Sequence, residues 1–227
     1  MEVGGKLRIG CRVWLSHAFT IDVSTQPMTI DAFLEHWNLI EHPFRGEEAR
    51  QDGLFARMVE DDVAGCAMEV SSHALVMGRV DGVVFDVAVF TNLGRDHLDF
   101  HRDLEDYFQA KAGLFTAERA RLGLVNVDDE HGRRLLDQAT IPMRTFSAAG
   151  SAADWRAVDI ELTASGSRFT VVAPDGTSHR TGVALPGDFN VANALAAVAA
   201  TVEAGFGLAA VAGGLAVAGG VPGRVER

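Results

Sequence analysis

The chain has 227 residues, 48% of them apolar, and 20 Lys and Arg stand against 31 Asp and Glu, a formal net charge of −11. That apolar content excludes wholesale disorder, and the acidic balance excludes a basic nucleic-acid platform, which needs a surplus of Lys and Arg on one face. Two cysteines, Cys11 and Cys66, cannot build a disulfide scaffold, and charges at Glu2, Lys6, Arg8 and Arg12 break any signal-peptide core, so a cytoplasmic protein is expected.

Residues 1–60 are rich in His, Trp, Phe and Glu, with helical spacing over 29–40 and 47–60. From residue 63 the text alternates strand and helix. Residues 63–70 form an apolar run suited to a strand buried on both faces; 71–77 read as a loop or one helical turn; 83–91 are a second buried strand. Asp103 can cap a helix running to about 115. A strand at 123–127, a helix at 129–138 and a strand at 141–146 follow. This order implies a parallel sheet wrapped by helices. Three turn-separated strands at 158–163, 168–173 and 178–185 then predict a small antiparallel meander packed near the sheet. Pro186-Gly187-Asp188 precedes an Ala-rich helix over 190–204, and another helix follows Gly207. Residues 204–223 carry no charge and are long enough to span a bilayer, but seven glycines and only two leucines make them weakly hydrophobic; a packed helix and no membrane segment are expected. The fold class is therefore α/β, a mostly parallel sheet flanked by helices with a small antiparallel meander.

Three clusters carry chemistry. Glu69-Val70-Ser71-Ser72-His73 sits at the end of the first expected strand, where open α/β sheets bind ligands. Glu69 suits Mg²⁺, a cation that prefers oxygen. A Ser nucleophile with His73 as base is a second reading, and a purely structural turn a third. The second cluster runs from Thr91 to His101. His97 and His101, four apart, match zinc spacing on a helix, and a surface turn with helix-capping Asp residues matches equally. The third is Lys111, flanked on its helix by Phe108 and Phe115. A helical Lys is ordinarily solvated; an apolar setting would depress its pKa.

Five ordered motifs go further. They are Met68-Glu69-Val70-Ser71-Ser72-His73-Ala74-Leu75, then Arg95-Asp96-His97-Leu98-Asp99-Phe100-His101, Tyr107 to Phe115, Leu185-Pro186-Gly187-Asp188-Phe189-Asn190 running on to Asn193, and Val221-Pro222-Gly223-Arg224. Together they resemble the central, ATP-binding domain of the Mur ligase family, in the type that makes UDP-N-acetylmuramoyl-tripeptide. The resemblance implies a P-loop-like Rossmannoid domain at 61–221, preceded by an unmatched N-terminal segment at 1–60 and followed at 222–227 by the start of a linker to a C-terminal domain. It implies a cytoplasmic, monomeric enzyme of peptidoglycan precursor synthesis that uses ATP and Mg²⁺. Such an enzyme joins an amino acid, diaminopimelate or lysine, to UDP-N-acetylmuramoyl-L-Ala-D-Glu through an acyl phosphate, without nucleic-acid partners.

The implied roles fall on individual residues. Glu69 and His97 match the Mg²⁺-associated pair. Lys111 matches the lysine that takes up CO₂ as a carbamate and becomes an anionic metal ligand. Lys111 and His97 are the catalytic candidates. Ser71 and Arg79 match contacts to the UDP-muramoyl peptide, although Met77 replaces a Gln often found two residues before that Arg. Asn190 and Asn193 match asparagines near the adenine. The family's P-loop, G-x-x-G-x-G-K-[ST], does not occur in the sequence, and Gly4-Gly5-Lys6-Leu7 is only a partial match. The expectation is a truncated chain, inactive alone; the alternative is a non-catalytic Mur-ligase-derived binding or partner subunit. Folylpolyglutamate synthetase shares the chemistry and is a more distant reading.

Overall fold

The computed structural model describes residues 66–94 and 100–217. The helices expected at 29–40 and 47–60, Cys11, His97 and the linker at 222–227 lie outside them.

Strand β1 (Phe85–Phe90) is apolar at every position except Asp86, as a strand covered on both faces must be. Strand β2 (Ala120–Asn126) pairs with it in parallel, Val87 opposite Leu122 and Val89 opposite Leu124; β3 (Met143–Ser147) pairs with β2 in the same sense. The crossovers carry helices. Helix α1 (Ser72–Val76) precedes β1, α2 (Leu104–Ala112) joins β1 to β2, and α3 (Glu130–Gln138) joins β2 to β3. Asp103 is the cap expected for α2, its carboxylate accepting the Asp106 amide; Asp129 does the same for His131 and Gly132 at α3. Helix α2 stops at Ala112, short of the expected 115, because a tight turn through Gly113 swings Leu114 and Phe115 into the core. Helix α3 lies so close to β2 that a Cβ on Gly132 would stand 1.9 Å from the Asn126 carbonyl oxygen.

One expected strand, at 63–70, is corrected over its described residues; 63–65 lie outside them. Residues 66–70 form no strand; Cys66, Ala67 and Met68 are half-buried, Glu69 is exposed and Val70 alone is buried. Among the described residues β1 forms its ladder with β2 alone. A single inward side chain does not give the two-faced burial that a central parallel strand requires.

A second correction concerns the meander. Strands β4 (Trp155–Thr163), β5 (Gly166–Val172) and β6 (Ser178–Val183) are antiparallel to one another as expected, but they continue the same sheet. The order is β1-β2-β3-β4-β5-β6, with β3 and β4 parallel through Phe146 opposite Trp155 and Ser147 opposite Arg156. A parallel neighbour ordinarily needs a crossover of a dozen or more residues. Here the two strands overlap only at their ends, so a short excursion suffices. Asp154 closes it by accepting the amide and hydroxyl of Thr145, 2.8 and 2.9 Å away. Asp128 accepts the Ser147 hydroxyl at 2.7 Å and the amides of Ala148 and Ala149.

Helix α4 (Asp188–Glu203) touches all six strands and buries eleven of its sixteen residues. Its alanines favour the helix and let it lie close to the sheet. Trp155 Nε1 donates to Glu203 Oε1 at 2.9 Å, tying the end of α4 to β4. Helix α5 (Leu208–Val217) covers β6, where the Thr181 hydroxyl donates to the Ala212 carbonyl at 2.7 Å. Val87, Val89, Leu124, Phe146, Trp155 and Phe169 pack against α4 and α5, while Phe85, Phe90, Phe108, Phe115 and Leu135 fill the opposite face beneath α1, α2 and α3. Among the described residues no helix is long and apolar enough to cross a membrane, and the uncharged stretch after Glu203 contributes only the ten residues of α5.

Candidate functional site

Two antiparallel steps return β6 to the direction of β1–β4, so β6 ends at the carboxyl edge of the parallel strands, and α4 starts there. That edge is where α/β sheets bind ligands. Asn190 and Asn193 occupy the first turns of α4 and are 4% and 7% exposed. Asn190 Nδ2 donates to the Pro186 carbonyl at 2.7 Å, while its Oδ1 is buried with no hydrogen-bond partner. An unpaired buried acceptor costs about 1–3 kcal/mol and fits a ligand that supplies a donor. Gly187, at φ +107°, turns the chain into the helix, and the neighbouring Phe189 ring is 60% exposed.

Glu69 lies in the coil that enters α1. Ser71 is the cap of that helix: its hydroxyl oxygen accepts the Ala74 amide at 3.1 Å, leaving its own proton free to donate. Arg79 is exposed in the turn after α1. Lys111 is 7% exposed, one turn from Tyr107, with Nζ 5.2 Å from that ring's centre. Burial pushes its amine down to about 8, and the Glu69 charge opposes that fall. The structure thus brings Glu69 into the electrostatic surroundings of Lys111. Among the described residues no three His, Cys, Asp or Glu side chains are grouped to hold a metal.

His101 bears on two of the open readings. Its ring is 4% exposed; Nε2 lies 2.8 Å from Ser72 Oγ and Nδ1 lies 3.3 Å from Asp106 Oδ2. Both nitrogens are engaged, so His101 is not a zinc ligand paired with His97. The Ser72 hydroxyl is bonded to His101, which removes the reading of that serine as a nucleophile served by His73. This contact spans 29 positions and had no local signal in the sequence beyond two polar residues in two motifs.

Known proteins are similar to this chain in sequence and fold. The Mur ligase middle domain matches residues 41–201, about seven-tenths of the chain, and the chain belongs to the Mur ligase family. The match begins within the segment before residue 61 and ends inside α4. Within the family, the chain is 56% identical over 175 residues to the UDP-N-acetylmuramoyl-L-alanyl-D-glutamate--2,6-diaminopimelate ligase of Streptomyces avermitilis, covering 77% of this chain and 35% of that protein. It is 46% identical over 186 residues to the UDP-N-acetylmuramyl-tripeptide synthetase of Leifsonia xyli subsp. xyli, covering 80% and 36%. A solved structure of a UDP-N-acetylmuramoyl-L-alanyl-D-glutamate--2,6-diaminopimelate ligase superimposes with a TM-score of 0.67 at 33% identity, over 77% of this chain and 36% of that one. The apo form of L. casei FPGS shares the fold alone, at 15% identity and a TM-score of 0.59. The chain spans about a third of the length of the curated relatives it matches.

Proposed function

We propose that the chain is the nucleotide-handling segment of an ATP-dependent ligase of peptidoglycan precursor synthesis, of the tripeptide-synthetase type. The carboxylate of UDP-N-acetylmuramoyl-L-Ala-D-Glu would attack the γ-phosphate of ATP and release ADP. The amine of the third amino acid, diaminopimelate in the name of the Streptomyces relative, would then attack the acyl phosphate, expel phosphate and lose a proton. The observation that carries this reading is Lys111, a buried amine in the field of Glu69 on the helix where the family places its modified lysine.

The residues fit the groups the family implies. At pH 7 an amine with a pKa of about 8 is about 9% unprotonated, against about 0.03% at the ordinary 10.5. Only the unprotonated amine can attack CO₂, so burial prepares Lys111 to become a carbamate. The oxygens of that carbamate and of Glu69 would suit Mg²⁺, with His97 as a further candidate. The ion, when bound, offsets charge on phosphate oxygens during transfer. Ser71 retains a hydroxyl proton and Arg79 an exposed guanidinium to orient the UDP-muramoyl peptide. Asn190 Oδ1, orphaned and buried, would accept from the adenine amine, with Asn193 one turn further along.

A chimera tests the proposal. Residues 66–217 replace the matching segment of the Streptomyces avermitilis ligase, and diaminopimelate addition is assayed with ATP. Activity near the parent's, abolished by Lys111→Ala, is the expected result. A folded chimera that binds neither nucleotide nor UDP-muramoyl peptide would sink the proposal.

A further inference from the structure

Ser72, His101 and Asp106 stand in a hydrogen-bonded row: Ser72 Oγ to His101 Nε2 at 2.8 Å, then His101 Nδ1 to Asp106 Oδ2 at 3.3 Å. Serine hydrolases use the same residue types in the same order. Here Ser72 is 0% exposed, so no substrate reaches its hydroxyl and nucleophilic chemistry is excluded. The row has a different geometry of purpose. Ser72 opens α1, directly after Glu69-Val70-Ser71, and Asp106 lies in the first turn of α2, the helix that carries Lys111.

The proton positions follow from the partners. Arg102 binds Asp106 through its guanidinium at 2.6 Å and its backbone amide at 3.3 Å, holding that carboxyl below the usual carboxylate range. An ionised Asp106 accepts, so His101 Nδ1 carries a proton towards it, and Nε2 shares the second hydrogen bond with the Ser72 hydroxyl. The ring cannot swing away: Tyr107 stacks on it at 5.1 Å, and Phe100 meets it edge-on at 4.9 Å. Tyr107 is also the ring beneath Lys111 Nζ.

We infer that His101 is a positioning residue: by bonding Ser72 on one side and Asp106 on the other, it clamps the segment that carries Glu69 to α2, the helix that carries Lys111. The inference gives the ligase reading its mechanical basis and takes its catalytic meaning from that reading, while the clamp itself is tested without it.

The experiment uses the full chain and a carbodiimide. The reagent activates the exposed Glu69 carboxyl; a neighbouring lysine amine displaces the urea and leaves an amide, read by peptide mass spectrometry as a Glu69–Lys111 cross-link. Wild type and Asp106→Asn, which keeps an acceptor for Nδ1–H, are expected to form it. His101→Ala and Ser72→Ala should form about fivefold less, the population change of one lost hydrogen bond, with circular dichroism unchanged. Ser72→Ala removes one oxygen atom, so it keeps the test open should His101→Ala misfold. Equal yields in Ser72→Ala and wild type, or no cross-link in wild type, would overturn the inference. A separate measurement addresses the ligase reading: failure of ¹³C-bicarbonate with Mg²⁺ to give a Lys111 carbamate signal counts against that reading and leaves the cross-link result standing.

Discussion

Replacing Lys111 with Met should stabilise the folded chain at neutral pH. Lys111 is 7% exposed, and burial brings its amine from an ordinary 10.5 down to about 8 despite the nearby Glu69 charge. At about 1.4 kcal/mol per pH unit, that difference penalises folding by about 3 kcal/mol while the amine holds its proton. Below pH 8 folded and unfolded chains are both protonated and the penalty is complete. Between 8 and 10.5 the unfolded chain keeps a proton that the folded chain has shed, so wild-type stability rises with pH until the penalty is gone. Met fills the same unbranched space but gives up the ammonium over the Tyr107 ring, a contact worth about 1 kcal/mol. The expected net gain is about 2 kcal/mol at pH 7, shrinking steadily towards pH 10.5. Urea unfolding of both proteins in CO₂-free buffer, at pH 7 and pH 10, measures it. A variant no more stable than wild type at pH 7, or an advantage that does not fall with pH, refutes the reasoning.

Other consequences are open to direct measurement. Gly132→Ala should lower the thermal midpoint by several degrees, since its Cβ would collide with the Asn126 carbonyl; overpacking of this kind costs about 1–3 kcal/mol. Trp155→Phe keeps most of the ring but loses the donor to Glu203, and should cost about 1.5–3 kcal/mol in urea unfolding. In the chimera, Asn190→Ala should raise KM for ATP about tenfold and leave kcat near its parent value, because one ligand hydrogen bond is removed from a desolvated site. The purified chain by itself should carry out no ATP-dependent ligation, and turnover near that of a full-length ligase would contradict this.

Where a segment's own residues decide its structure, the sequence was legible. Asp103 caps α2 as expected; Phe85–Phe90 reads as a covered strand and is one; the Pro174-Asp175-Gly176 turn separates β5 from β6. Legibility failed where partners are distant. Residues 66–70 are apolar enough for a strand, yet strand formation needs a neighbouring ladder, and composition does not say whether one is present. The meander was read as separate because nothing local announces that Phe146 will lie beside Trp155. The burial of Lys111 was only half legible: its apolar neighbours Phe108 and Phe115 hinted at it, but a helical Lys is ordinarily solvated, and the turn that folds Phe115 inward lies beyond the helix. The bond from Ser72 to His101 was not, because both residues belong to motifs whose local reading is complete without it.

The two-residue overlap between β3 and β4 divides the sheet into a parallel half and an antiparallel half, with α4 laid across both. Such a joint has little backbone pairing to break, so native-state hydrogen exchange should resolve two cooperative units, one from β1 to β3 and one from β4 to β6 with α5. Glu69 and Lys111 are carried by the first unit. Asn190 and Asn193 enter directly from β6 in the second. A small slip at the joint would therefore change the spacing between the two sets of candidate contacts without distorting either, and α4 is the beam whose stiffness sets how large that slip can be.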